Sequence, residues 1–199
     1  MKGKSLWRVG ILVLALILVG NIGSCGALTP QEQLERAMEY VGSANYGAAV
    51  DVLEDILLDL REKAPLKIQN VDLATEVHQF GMYDKRESSI FAPDEPILIY
   101  SEVRNFTSEK IAERLWSIRL SMDVQIFDVD DNLMAEMKDF LTIEINPNTA
   151  RLQDLMFYPT ISPEGWPAGD YKVRVIVTDV PSAKKADLVV AITIKEEGG

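Results

Sequence analysis

Two hydrophobic periods divide this chain. Between residues 30 and 64 apolar side chains recur at helical spacing. Beyond about residue 65 they recur every second residue, the period of a half-buried strand. In the first region Leu34, Ala37, Met38 and Val41 form one apolar face, and Thr29-Pro30-Gln31-Glu32 reads as a capping box with Thr29 as N-cap and Pro30 at the first helical position. Gly42 to Gly47 interrupts the pattern. A second helix is expected from about Ala48 to Lys63, with Ala49, Val52, Leu53, Ile56, Leu57 and Leu60 on its inner face and Pro65 ending it. In the second region Trp116, Ile118, Leu120, Met122, Val124 and Ile126 alternate with polar residues without a break. Further strand-like runs lie near 71–77, 133–145, 152–158, 171–177 and 188–194, and a strand apolar on both sides lies near 97–103. Seven strands over about 130 residues, with no intervening helix, predict a mainly β chain: an antiparallel immunoglobulin-like β-sandwich preceded by a two-helix hairpin.

The first 24 residues fit neither period. Lys2, Lys4 and Arg8 precede a compact apolar run from Val9 to Val19, and small residues follow. That is the anatomy of an export signal, and the run is about half the ~20 residues that a spanning helix needs. Ile22-Gly23-Ser24-Cys25 resembles the lipobox of bacterial lipoproteins. The resemblance implies that Cys25 is acylated and becomes the first residue after cleavage. Two or three acyl chains anchor stably, at about 0.8 kcal/mol per buried CH₂. Gly26, rather than Asp, after the Cys leans towards the periplasmic face of the outer membrane. The expected division is therefore a signal peptide over 1–24, a lipidated N-terminus over 25–29, a helical hairpin over 30–64 and the sandwich over 65–196.

Two further resemblances concern the body. Ala44-Asn45-Tyr46, then Ala49 and Val50, resemble the turn and second helix of a single tetratricopeptide repeat, without its first-helix aromatic and with Arg61 where the motif often has Pro. One unit cannot bury its own face, so the hairpin has to pack on the sandwich or on a partner, and covering part of the sandwich is the simpler expectation. Trp166-Pro167-Ala168-Gly169-Asp170-Tyr171, the valines after it and Asp179 resemble a late hairpin of bacterial immunoglobulin-like domains. Pro65-Leu66-Lys67-Ile68, Phe80-Gly81 with Tyr83, Phe91 with Pro93, Glu102-Val103 with Asn105-Phe106-Thr107-Ser108, and Phe157-Tyr158 resemble a group of bacterial envelope proteins. That likeness implies fold and compartment and brings no activity with it.

Composition narrows function mostly by exclusion. The chain carries 20 Lys+Arg against 31 Asp+Glu, a formal charge of −11. Loss of Lys2, Lys4 and Arg8 with the signal takes this to −14. Nucleic-acid binding needs clustered base and is not expected. One Cys and one His exclude a disulfide framework, a Cys-rich zinc site and a multi-His metal site within the chain. Asp128, Asp130 and Asn132, with Asp139 at the twelfth position, have the oxygen spacing of a calcium loop. Leu133 stands where that loop wants Gly, so a hairpin turn bonded by its own Asp and Asn side chains is the better account. His78 is expected to be structural. Trp166, in a Pro/Gly turn, is a candidate ligand contact, and no catalytic constellation or cofactor fingerprint appears. The expectation is a non-enzymatic, lipid-anchored binding or scaffold protein of the cell envelope, with a membrane contact through its anchor and an envelope protein or glycan as partner. A carbohydrate-binding module using aromatics near Trp166 and a carboxylate-dependent hydrolase are the alternatives.

Overall fold

The computed structural model describes residues 28–149 and 152–195. The export signal, the lipobox and Cys25 lie outside the described residues. Among the described residues two helices come first, α1 (Pro30–Gly42) and α2 (Tyr46–Lys63). Eleven strands follow: β1 (Lys67–Gln79), β2 (Met82–Lys85), β3 (Ile90–Phe91), β4 (Ile97–Arg104), β5 (Glu109–Ala112), β6 (Leu115–Phe127), β7 (Leu133–Ile145), β8 (Asp154–Phe157), β9 (Thr160–Ile161), β10 (Gly169–Asp179) and β11 (Lys185–Ile194). The seven expected strands are all present. The four additional ones, β2, β3, β5 and β9, are two to four residues long, too short to show a period in sequence.

One sheet runs β2-β1-β4-β8, with β9 also pairing β4. The other runs β3-β11-β10-β6-β5, with β7 also pairing β6. Pairing is antiparallel except for β3, which lies parallel to β11 over two residues. Arg86 builds that exception. Its guanidinium reaches the Ser88 and Ile90 carbonyls and the Glu95 carboxylate, and lies 4.2 Å from the Phe91 ring centroid.

The long rows read from sequence line the core. Ile118, Leu120, Met122, Val124 and Ile126 on β6 face Ile97, Ile99 and Val103 on β4, and Val173, Val175 and Val177 on β10 complete the layer. All are at most 1% exposed, so the alternation fixes the register: a slip of one residue would turn each row to solvent. Asp179 ends β10 buried. Its Oδ2 accepts from the Thr107 amide at 3.0 Å and the Thr107 hydroxyl at 2.7 Å, and from the Ser182 hydroxyl.

The helices form as the capping pattern dictates. The Glu32 amide donates to Thr29 Oγ1, and Glu32 Oε2 accepts from the Thr29 amide at 2.8 Å. The helix α2 starts two residues earlier than expected because Asn45 caps it, accepting from the Ala48 amide. The expected inner faces are largely in solvent, however. Only Ala37, Ala49 and Ile56 are buried in the hairpin.

Candidate functional site

On α2 the row Ala49, Val52 and Ile56 lies on the more buried side. A second row, Tyr46, Val50, Leu53, Leu57 and Leu60, keeps 4-3-4-3 spacing and is left uncovered by the described residues: each side chain is 43–64% exposed. On α1, Leu34, Met38 and Val41 repeat this, with Met38 at 73%. Apolar stripes of this length on a small protein mark interaction surfaces more often than chance exposure does.

The hairpin is hydrogen-bonded to the sandwich at the C-terminal end of α2, where Leu58 also lines a small pocket with Phe106 and Leu152. Lys184, in the turn between β10 and β11, donates to the carbonyls of Glu62 at 3.1 Å, Ala64 at 3.3 Å and Asn105 at 2.5 Å. It thereby satisfies carbonyls at the C-terminal end of α2, where a cation is also favoured by the helix dipole. Asn105 Nδ2 donates to the Pro65 carbonyl. One turn earlier Arg61 Nη1 reaches the Gln153 carbonyl and Asp154 Oδ1, and Asp154 also pairs with Arg104 at 2.6 Å.

Between these anchors and the free part of α2 the elements stand apart. A cleft of about 390 Å³ opens there, lined by Glu54, Leu57, Arg61, Phe80, Leu152, Gln153 and Asp154. Leu57 belongs to both the stripe and the cleft, so the two surfaces are continuous. The helices from Pro30 to Lys63 carry eight acidic and three basic side chains, and two of those bases, Arg61 and Lys63, are already paired with Asp154 and Asp59. The surface is apolar with an acidic surround, a form suited to an apolar segment with basic flanks.

The residues singled out from sequence lie elsewhere. Asp128 to Asn132 form the β6–β7 hairpin turn. Asp128 accepts from the Asp130 and Asn132 amides and from Asn132 Nδ2, all at 2.9 Å. These donors, the Asn132 side chain foremost, hold the Asp128 carboxyl below the usual carboxylate range. Asp139 lies six residues along β7 from Leu133, roughly 20 Å away at the rise of a strand. It sits in a bulge where its amide donates to Asp123. The spacing of a calcium loop is therefore not closed into a ring, because positions six to twelve are extended. Trp166 is half-buried, packs against the core and tilts over Tyr171 with ring centroids 5.1 Å apart. Trp116 ends its row half-buried beneath Lys110. Tyr158 is 48% exposed and lines, with Phe140, Leu141, Ile143 and Met156, an apolar groove of about 430 Å³ at the edge between the sheets.

A polar network on β1, β2 and β4 had no sequence signal. Tyr83 stacks on Tyr100 with centroids 4.0 Å apart. Its hydroxyl donates to Asp72 at 2.6 Å, and Lys85 pairs with the same carboxylate. Tyr100 donates to Glu102 and accepts from the Gly81 amide at 2.7 Å. Glu102, 4% exposed, also accepts from Asn70 and Gln69. The bond to Asp72 and the burial push the Tyr83 hydroxyl up to about 12. Lys85 and then Tyr83 hold Asp72 below its ordinary value. Apart from Tyr100 with Glu102 on β4, the partners come from different strands or from the Gly81 turn, and no motif carries that pairing.

No family model matches the chain, and no curated protein matches it. Among solved structures it is similar to a Niemann-Pick type C2 protein from the Japanese carpenter ant, at 8% identity over 66% of this chain and 94% of that one, with a TM-score of 0.42. It is also similar to a cycloisomaltooligosaccharide glucanotransferase from Paenibacillus sp., at 13% identity over 66% of this chain and 14% of that one, TM-score 0.39. A third is Spo0M, a sporulation control protein from Bacillus subtilis, at 14% identity over 67% of this chain and 51% of that one, TM-score 0.34. The chain spans about a seventh of the length of the glucanotransferase. Likenesses at this level carry no statement about activity.

Proposed function

We propose that this chain is a non-enzymatic binding or scaffold module of the bacterial cell envelope, tethered through an acylated Cys25. The α2 stripe and the cleft beside it receive an apolar, basic-flanked segment of a partner protein. The observation that carries this reading is the row Tyr46, Val50, Leu53, Leu57 and Leu60, left in solvent on a helix that is itself held firmly at its C-terminal end. A stripe of that spacing is what a helix-in-groove partner reads. The acidic surround selects against a bare apolar surface and for a basic-flanked one.

A photo-crosslinker at Leu53 in envelopes of the native host tests the surface. One defined adduct is expected, lost in Leu57→Asp and Leu60→Asp and kept in Val189→Asp, which alters an exposed apolar residue on β11. Adducts that form equally from a crosslinker at Val189 would overturn the reading. Labelling with an alkyne fatty acid tests the tether: label on the wild type and none on Cys25→Ala is expected, and an unlabelled wild type refutes it.

A further inference from the structure

The sole histidine of the chain stands between two carboxylates on an exposed hairpin. Strands β1 and β2 are joined by the tight turn Phe80-Gly81, where Gly81 takes a φ of +70° that favours glycine. The pairing places Glu76 directly opposite Asp84. Two like charges facing each other across a strand pair are destabilising without a counter-charge. Val77 then pairs with Tyr83 and Gln79 with Met82, which leaves His78 as the extra residue of a bulge. A bulge bends its strand and re-aims the side chain it carries. Here the imidazole is aimed at the pair: Nε2 lies 3.2 Å from Asp84 Oδ2 and Nδ1 lies 3.6 Å from Glu76 Oε1. One donor atom from each of the three residues falls within 4.8 Å of the others, and no other trio of His, Cys, Asp or Glu among the described residues does this.

We propose that Glu76, His78 and Asp84 form a binding site for a borderline divalent cation, with zinc as the best fit. One nitrogen and two carboxylate oxygens match its ligand preference, whereas magnesium and calcium want oxygen alone. Around a tetrahedral zinc with bonds of about 2.1 Å, ligand atoms stand about 3.4 Å apart. The three side chains are 42–69% exposed, so they close the remaining distance by rotating in solvent, without moving the sheet. Three protein ligands leave the fourth position to water. The cation would also neutralise the facing carboxylates, which are otherwise a cost to the hairpin. Both bulges of β1 in this region, at Thr75 and at His78, lie where the three ligands meet.

Because the chain has one imidazole, its ring resonances report the site without ambiguity. Untagged full-chain protein carrying Cys25→Ser, which removes the one thiol that would compete, is titrated with zinc and observed by imidazole NMR. Saturation of the His78 shifts at one zinc per chain is expected, with magnesium at the same concentration leaving the ring unmoved. Glu76→Gln and Asp84→Asn should each weaken binding at least tenfold while leaving the rest of the spectrum unchanged. Absence of a zinc-dependent shift overturns the proposal. So does an affinity that survives in both carboxylate variants, since that describes a lone surface imidazole.

Discussion

Lys184 donates its ammonium to the main-chain carbonyl of Glu62 at 3.1 Å, tying the β10–β11 turn to the last turn of α2. With Asn105 on the Pro65 carbonyl and Arg61 on Gln153 and Asp154, Lys184 ties the hairpin to the sandwich at the end of α2. Replacing it leaves helical carbonyls without a donor and removes a favourable charge from a helix C-terminus. Lys184→Met is expected to cost about 1–2 kcal/mol locally, at the strength of a charged hydrogen bond. Hydrogen exchange should quicken in the last turn of α2 while the amides of β6 and β10 keep their protection. Uniform loss across both sheets would show that hairpin and sandwich unfold as one unit.

Asp179 holds Thr107 and Ser182 from a fully buried position. Asp179→Ala leaves the half-buried amide and hydroxyl of Thr107 without their acceptor, while the exposed Ser182 turns to solvent, and about 1–2 kcal/mol of stability should go with it. For a domain of this size that is a drop of several degrees in Tm. Thr107→Val removes only the side-chain donor and should cost less. A thermal melt of each variant ranks them.

The Tyr83–Asp72 bond makes stability depend on pH at both ends. Folding raises the Tyr83 pKa to about 12 from an ordinary 10, so the neutral phenol is favoured in the native state. That contribution is complete below pH 10 and is lost as pH rises towards 12. Folding lowers the Asp72 pKa from 3.8. Its contribution is present above the unfolded value and is lost as pH falls through the depressed native one. Denaturant unfolding at pH 9 to 12 should show a fall in stability that Tyr83→Phe reduces, together with a smaller acid loss near pH 3 in that variant. An unchanged alkaline profile in Tyr83→Phe would assign the fall to other groups.

The exposed stripe on α2 should be silent in stability and loud in binding. Leu53→Asp changes a side chain that is 44% exposed, and its effect on unfolding should stay within about 0.5 kcal/mol. The Leu53 crosslink is unavailable to that variant, so the crosslinker is moved to Val50. Loss of the Val50 adduct at unchanged Tm is expected, whereas a lowered Tm would mean that Leu53 packs inside the fold.

Calcium should leave the protein unmoved. The Asp128 carboxylate is already bonded three times within its own turn, so millimolar calcium is expected to leave Tm unchanged. Asp128→Ala should lower Tm with or without the ion. A calcium-dependent rise in the wild type alone would restore the metal reading of that turn.

The residues that sequence placed well are those whose signal is local. Thr29 and Glu32 are three positions apart and cap one another. The β6 row from Ile118 to Ile126 repeats at the strand period and is buried throughout. Sequence could not say that Leu53, Leu57 and Leu60 remain in solvent, because periodicity identifies an apolar face and not what covers it. It also missed the trio at Glu76, His78 and Asp84 and the stacked Tyr83 and Tyr100. Both depend on which residue of one strand opposes which residue of the next. The bulges at Thr75 and His78 shift that register by one residue each, and alternation alone does not reveal a bulge.

The short connection from α2 to β1 also sets the order in which the molecule yields to force. Lys63 ends α2 and Lys67 begins β1, so any load applied ahead of α1 passes through the hairpin before it reaches a sheet. The hairpin buries only three side chains, whereas β1 is laddered to β4 from Lys67 to Ala74. Under tension the helices would straighten first, lengthening the stalk while the β layers stay closed. At 1.5 Å per helical residue against about 3.3 Å extended, that straightening would roughly double the length of the helical segment.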